Sequence, residues 1–174
     1  FNTQHVLAAD DPIQYIHFPD DCIPLGITYC QEQNLAYVAL KPYEVGATCG
    51  IAVVNVTKAL NSEPDSYEIY TSSGMGHFVV LDDGGKIWCC VNFQLTYFDT
   101  ATKTFFVTEV STHESHVLYH NGFVWAYWKG TLEKVNPVTC ALEAEYNLTE
   151  YHWSMSYVIG DGDYIWLSEV KNPY

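Results

Sequence analysis

The sequence predicts an all-β fold assembled from a repeated four-stranded unit, and three observations carry that prediction. One pattern is written twice at fixed spacing. Trp88 stands eleven residues before Asp99, which opens Asp99-Thr100-Ala101-Thr102, and Trp125 stands eleven before Asn136, which opens Asn136-Pro137-Val138-Thr139. A longer period lies behind it. The segments 34–38, 86–89, 123–126 and 164–167 align on the aromatic markers Tyr37, Trp88, Trp125 and Trp166, whose separations are 51, 37 and 41 residues. Such spacings suit four short strands per unit. The composition agrees: 14 Tyr and 8 Phe favour strands, and no stretch sustains a helical period of 3.6.

The elements follow in order. The first unit reads as strands Leu25–Tyr29, Leu35–Leu40, Gly50–Asn55 and Ser66–Tyr70, with KPYEVGATCG enlarging one hairpin. The second reads as His77–Leu81, Lys86–Val91, Leu95–Asp99 and Thr104–Val110, its first turn being Asp82-Asp83-Gly84-Gly85. The third reads as His116–Tyr119, Phe123–Tyr127, Leu132–Asn136 and Ala141–Tyr146. Its turns fall at Asn121-Gly122, Gly130 and Asn136-Pro137, residues that tolerate or impose turn geometry. The fourth unit supplies only Ser154–Ile159 and Tyr164–Val170. Gln4–Ala9 and Ile13–Phe18, with a turn at Asp10-Asp11-Pro12, supply the missing pair. Trp166 to Tyr174 and on from Phe1 to Asp10 makes eighteen residues, the same as Tyr37 to Asn55.

The expectation is a small β-propeller of four four-stranded blades in a single domain, 1–174. The blades are 19–71, 72–110, 111–148 and a split one, 149–174 plus 1–18. Three arrangements fit a split blade. The chain closes on itself, abolishing an open edge; its N-terminal strands complete the last blade of a neighbour, head to tail into a filament; or it is a piece of a larger propeller, against which the whole number of blades argues.

The G-x-h-W-h strands followed by strands ending in D-x-x-T resemble β-propeller blades of the NHL, YVTN and lyase-like kind. That resemblance implies the architecture and no single activity, because propellers host many functions.

Charge narrows the partners. Against 21 acidic residues stand 7 Lys and Arg, a formal charge of −14. Such a surface repels phosphate backbones, so no nucleic acid is expected. No apolar run approaches the ~18 residues of a membrane span, so no membrane insertion is expected. The opening at Phe1, without initiator Met or leader, reads as a mature chain whose signal peptide has been removed. Asn55-Val56-Thr57 and Asn147-Leu148-Thr149 are N-glycosylation sequons. Cys22, Cys30, Cys49, Cys89, Cys90 and Cys140 form an even set that suits disulfides outside the cell, and their spacing is not that of a zinc site. Cys89 and Cys90, adjacent on a strand, face opposite sides and need separate partners. Their connectivity stays open.

Chemistry, if present, would sit at a channel mouth. The loops entering the first strands carry His77, His113, Glu114, His116 and His152, with Asp20, Asp21 and Glu150. Of these, His77, His116 and His152 are candidates for acid–base work in a lyase or hydrolase, like propeller lyases that use a channel-mouth histidine. The competing reading, polar residues filling a wet rim, carries more weight, since no H-x-H or H-E-x-x-H spacing is present. No metal or cofactor is expected. Asp161-Gly162-Asp163 reads as a hairpin turn, because an EF-hand's further ligands are missing. Trp128 is a candidate sugar platform or interface anchor, whereas Trp88, Trp125 and Trp166 read as packing between blades. The expected role is therefore that of a secreted, acidic, structural or interaction glycoprotein, not an enzyme. Its partners would be other copies of itself or other extracellular proteins, and it would carry N-linked glycans. A small propeller lyase or hydrolase and a carbohydrate-binding propeller stand as alternatives.

Overall fold

The computed structural model describes residues 16–19, 21–43, 50–72, 79–111, 116–128, 130–148 and 157–168. Among them the chain is all-β, with one short helix and four antiparallel sheets. Sheet 1 contains β1 (Cys22–Cys30), β2 (Leu35–Pro42), β3 (Gly50–Asn55) and β4 (Tyr67–Thr71). Sheet 2 contains β5 (Val80–Leu81), β6 (Lys86–Val91), β7 (Gln94–Asp99) and β8 (Thr104–Ser111). Sheet 3 contains β9 (His116–His120), β10 (Phe123–Trp128), β11 (Thr131–Val135) and β12 (Leu142–Asn147). Sheet 4 is the hairpin β13 (Tyr157–Asp161) and β14 (Tyr164–Ser168). Each four-stranded sheet is a meander, every strand pairing with its neighbour in sequence.

The turn chemistry explains the repeated pattern. Asp99 accepts from the backbone N–H groups of Ala101 and Thr102, both at 2.9 Å, and Asn136 accepts from Val138 at 2.9 Å and Thr139 at 3.1 Å. In each turn the fifth residue donates back to the first, Lys103 to the Asp99 carbonyl and Cys140 to that of Asn136. These closing residues sit at φ +57° and +59°. One five-residue loop is thus built twice, the Asx side chain satisfying the backbone donors that the turn frees. Elsewhere Asn121 and Gly122, at φ +51° and +78°, form the paired left-handed turn that a two-residue hairpin requires.

The sheets pack face to face in series. Strand alternation sends Tyr37, Ala39, Ile51 and Val53 of sheet 1 against Ile87, Cys89, Val91 and Phe98 of sheet 2. The opposite face of sheet 2, with Trp88, Leu95 and Val110, meets Val124, Ala126 and Val135 of sheet 3. The first strands lie side by side in the order β1, β5, β9, β13. Polar bridges fix the junction of sheets 2 and 3: Tyr119 donates to Asp83 Oδ2 at 2.8 Å, and Lys86 Nζ to the Pro137 carbonyl. Both faces of a central strand are therefore apolar, which explains the unbroken KIWCCV of β6.

Three expectations need correction. The segment Gly50–Ser66 is not strand and loop alone, because α1 (Val56–Leu60) forms a single helical turn. Asn55 caps it, accepting from the Lys58 N–H at 3.0 Å. Ile16, His17 and Phe18, expected to end a strand, carry no strand pairing. Instead Phe18 packs with Val56, Ala59 and Tyr67 against Ala36, Val38, Leu40 and Val54, on the face of sheet 1 turned away from sheet 2. The remainder of that strand and Gln4–Ala9 lie outside the described residues. The third correction concerns the cysteines. Among the described cysteines, Cys30, Cys89, Cys90 and Cys140 form no disulfide. Cys89 and Cys90 are buried among apolar side chains, where they pack as small hydrophobes, and burial pushes the Cys89 thiol far above its ordinary pKa. Cys22 is disulfide-bonded, and Cys49 lies outside the described residues.

Candidate interaction surface

The aromatic markers share a structural position and differ in burial. Tyr37 and Trp88 are wholly buried, Trp125 is half-buried, and Trp166 is 57% exposed. The trend follows from the series. Each marker points toward the next sheet: Tyr37 into the junction of sheets 1 and 2, Trp88 into that of sheets 2 and 3. On β14, alternation turns Ile165 and Leu167 inward and leaves Tyr164 and Trp166 outward. Ile159 lies opposite Trp166 in the ladder and is exposed with it. The Tyr164 and Trp166 rings lie 6.2 Å apart at 49°. Ile159, Tyr164 and Trp166 thus form an apolar patch on which no described sheet rests. The expectation that Trp166 packs between sheets is corrected accordingly, because packing requires a following sheet.

Sheet 4 is seated closely on sheet 3. β13 runs beside β9, and Asn121 Nδ2 donates to the Gly162 carbonyl at 2.9 Å. A Cβ at Gly160 would run into the His120 imidazole, so the missing side chain lets the hairpin lie directly against that ring. These contacts seat the hairpin, and the patch it carries, against sheet 3.

The same side of sheet 3 is aromatic and basic. Lys134 Nζ lies 3.5 Å from the Phe123 ring centroid and 5.8 Å from that of Trp125, and it pairs with Glu143 at 3.7 Å. Trp125 stacks on Tyr146 at 6.2 Å and 28°. On the other side of β11, Glu133 stands opposite Glu145 in the ladder. Partial burial, with the Glu145 charge added, pushes the Glu133 carboxyl up to about 7.

The sequence-derived candidates fare unevenly. His77 and His152 lie outside the described residues, as do His113, Glu114, Asp20 and Glu150. His116 opens β9 opposite Tyr127. Among the described residues no group of three His, Cys, Asp or Glu is placed to hold a metal ion. Asn55 uses Oδ1 for its helix cap, so the bond leaves Nδ2, where a glycan attaches, unspent; Thr57 Oγ1 accepts from Asn34 Nδ2 at 2.6 Å. Asn147 ends β12 exposed. Trp128 is half-buried at the end of β10, and Tyr127 beside it is buried. Sequence reasoning overlooked the Ile159–Tyr164–Trp166 patch. Its signal was present in the alternation of YIWLS, but treating all markers alike concealed it.

No family model matches the chain, and no curated protein does. Its fold is similar to that of solved structures. Two structures of the extracellular domain of BT4673 from B. thetaiotaomicron superpose with TM-scores of 0.60 and 0.63, at 16% and 14% identity. Each match covers 83% of this chain and 21% of the other. A Bacteroides caccae protein of unknown function superposes with TM-score 0.54 at 12% identity, over 82% of this chain and 52% of the other. The chain therefore spans 21% of the length of the first structures it resembles.

Proposed function

We propose that this chain is a secreted, extracellular, non-catalytic interaction module whose sheets are arranged as the blades of a small β-propeller. The exposed face of sheet 4 is its contact surface for another extracellular protein. The observation that carries the reading is the exposure at the end of the series: the marker aromatic is buried at Tyr37 and Trp88, half-buried at Trp125 and open at Trp166. An apolar aromatic patch on a firmly seated hairpin is what protein interfaces are built from. The extracellular setting is supported by the BT4673 domains that share the fold, by the acidic surface, and by the sequons at Asn55 and Asn147.

Contact with a different protein is favoured over head-to-tail assembly. The natural counterpart of the open face in a second copy is the far face of sheet 1. There Leu40 and Val54 are already buried beneath Phe18, Val56 and Ala59.

A photocrosslinking amino acid in place of Trp166, in the cells that produce the protein, tests the reading. The expected result is a discrete extracellular adduct that is absent when the same group replaces the exposed Val138. Equal labelling from both positions, or none from 166, overturns it.

A further inference from the structure

We infer that the extracellular partner of sheet 4 also docks on the β1 margin of sheet 1, using an apolar β-sheet that fills the gap between those two faces. The inference rests on the interaction reading and propeller arrangement proposed above. It adds a second contact surface, at Ile27 and Tyr29, and the structural class of the partner.

Strand register locates the surface. Side chains directly opposite in an antiparallel pair share a face. On sheet 3, Val117 stands opposite Ala126 and Tyr119 opposite Val124, and all four pack toward sheet 2. On sheet 1, Ile27 stands opposite Val38 and Tyr29 opposite Ala36. Val38 follows the marker Tyr37 as Ala126 follows Trp125, so Ile27 and Tyr29 are the counterparts of Val117 and Tyr119. They lie on the far face of sheet 1. The two pairs differ in burial. Val117 and Tyr119 are half-buried because sheet 2 lies over them, whereas Ile27 is 68% and Tyr29 50% exposed. Phe18, Val56 and Ala59 cover part of the far face and leave these two side chains in water.

The occupant follows from the series. Inside the chain, the positions equivalent to Ile27 and Tyr29 are covered by the apolar face of a neighbouring sheet, with Trp88, Leu95 and Val110. Tyr119 even reaches across to Asp83 of that sheet, while Tyr29 donates to Asn34 Oδ1 of its own at 2.9 Å. The chain does not close on itself here, since Ile27 at one end and Trp166 at the other are both exposed. The first strands run side by side in the order β1, β5, β9, β13, which puts the two open faces at opposite ends of one row. Wrapped into a ring, those ends border a single gap, and a sheet apolar on both faces, as sheet 2 is, fits it. A second copy is disfavoured, because two chains of formal charge −14 repel.

Photocrosslinking amino acids placed separately at Ile27 and Trp166, in the cells that produce the protein, test the inference. The expected result is an adduct of the same mass from each position, with peptide mass spectrometry identifying one protein in both. Ile27→Asp should lower the yield of the 166 adduct by about tenfold or more. The melting temperature of the free variant should be unchanged, because Ile27 is already in water. Expressed alone, the captured protein should give a β-sheet circular dichroism spectrum. No adduct from 27, a different protein at 27, or an adduct weighing two copies of this chain overturns the inference. So does a 166 adduct indifferent to Ile27→Asp, or a helical partner. Each of these leaves the interaction reading standing as long as 166 still crosslinks a different protein. Loss of the 166 adduct in the parent chain instead overturns that reading and this inference with it.

Discussion

Asp82 shows how one buried carboxylate can fix the register of a sheet. Its Oδ1 accepts from the N–H groups of Gly84 at 2.8 Å and Lys86 at 2.9 Å, and its Oδ2 from Trp88 Nε1 at 2.7 Å. The turn and the marker aromatic are tied to one side chain that is itself buried. Asp82→Ala orphans all three donors, and urea denaturation should register a loss of about 2–4 kcal/mol. Glu133 acts in the opposite sense. Its carboxyl titrates near 7 when folded and in the ordinary carboxylate range when unfolded, so the folded chain holds the proton more tightly. The proton therefore favours folding at low pH, and stability falls as pH rises through about 4 to 7. Glu133→Gln should flatten that slope in melting curves taken across the interval. Above pH 7 the variant should be the more stable by about 1 kcal/mol, a figure reduced for the solvent that reaches a half-buried group.

Elements were legible to the extent that their chemistry is local. β3 and β6 have the expected limits, Gly50–Asn55 and Lys86–Val91: β6 lies between Gly85 and Asn92-Phe93, all at positive φ, and β3 gives way at Asn55 to the cap of α1. The Asp99 and Asn136 loops could be recognised as one device because an Asx side chain acts within five residues. α1 escaped notice because five residues are too few to display a period, although Asn55 supplied a cap signal. Hairpin placement depends on a contact between elements. Gly160→Ala drives a methyl group into His120, so β13–β14 should detach while sheets 1–3 persist. Hydrogen exchange should then show 157–168 opening freely, with β2 and β6 still protected. Exchange in 157–168 equal to that of the parent chain would refute this account of the seating.

At the scale of the molecule, equivalent residues carry unequal energies because neighbours differ. Trp88→Ala should cost about 3–5 kcal/mol in chemical denaturation, as it empties the junction of two sheets. Trp166→Ala, at the matching place in the repeat, should cost less than about 1 kcal/mol, since the ring is mostly in water already. The amino-acid sequence by itself determined most of the described strands, their alternation, the turns and the repeat, all of which arise from interactions within a few residues or from period-two patterning. Only the tertiary structure decided which faces are covered. It made core hydrophobes of Cys89 and Cys90, spread Phe18 over the far face of sheet 1, and left Trp166 bare. Burial is a property of what lies opposite, and nothing local in a strand states whether another sheet will be there.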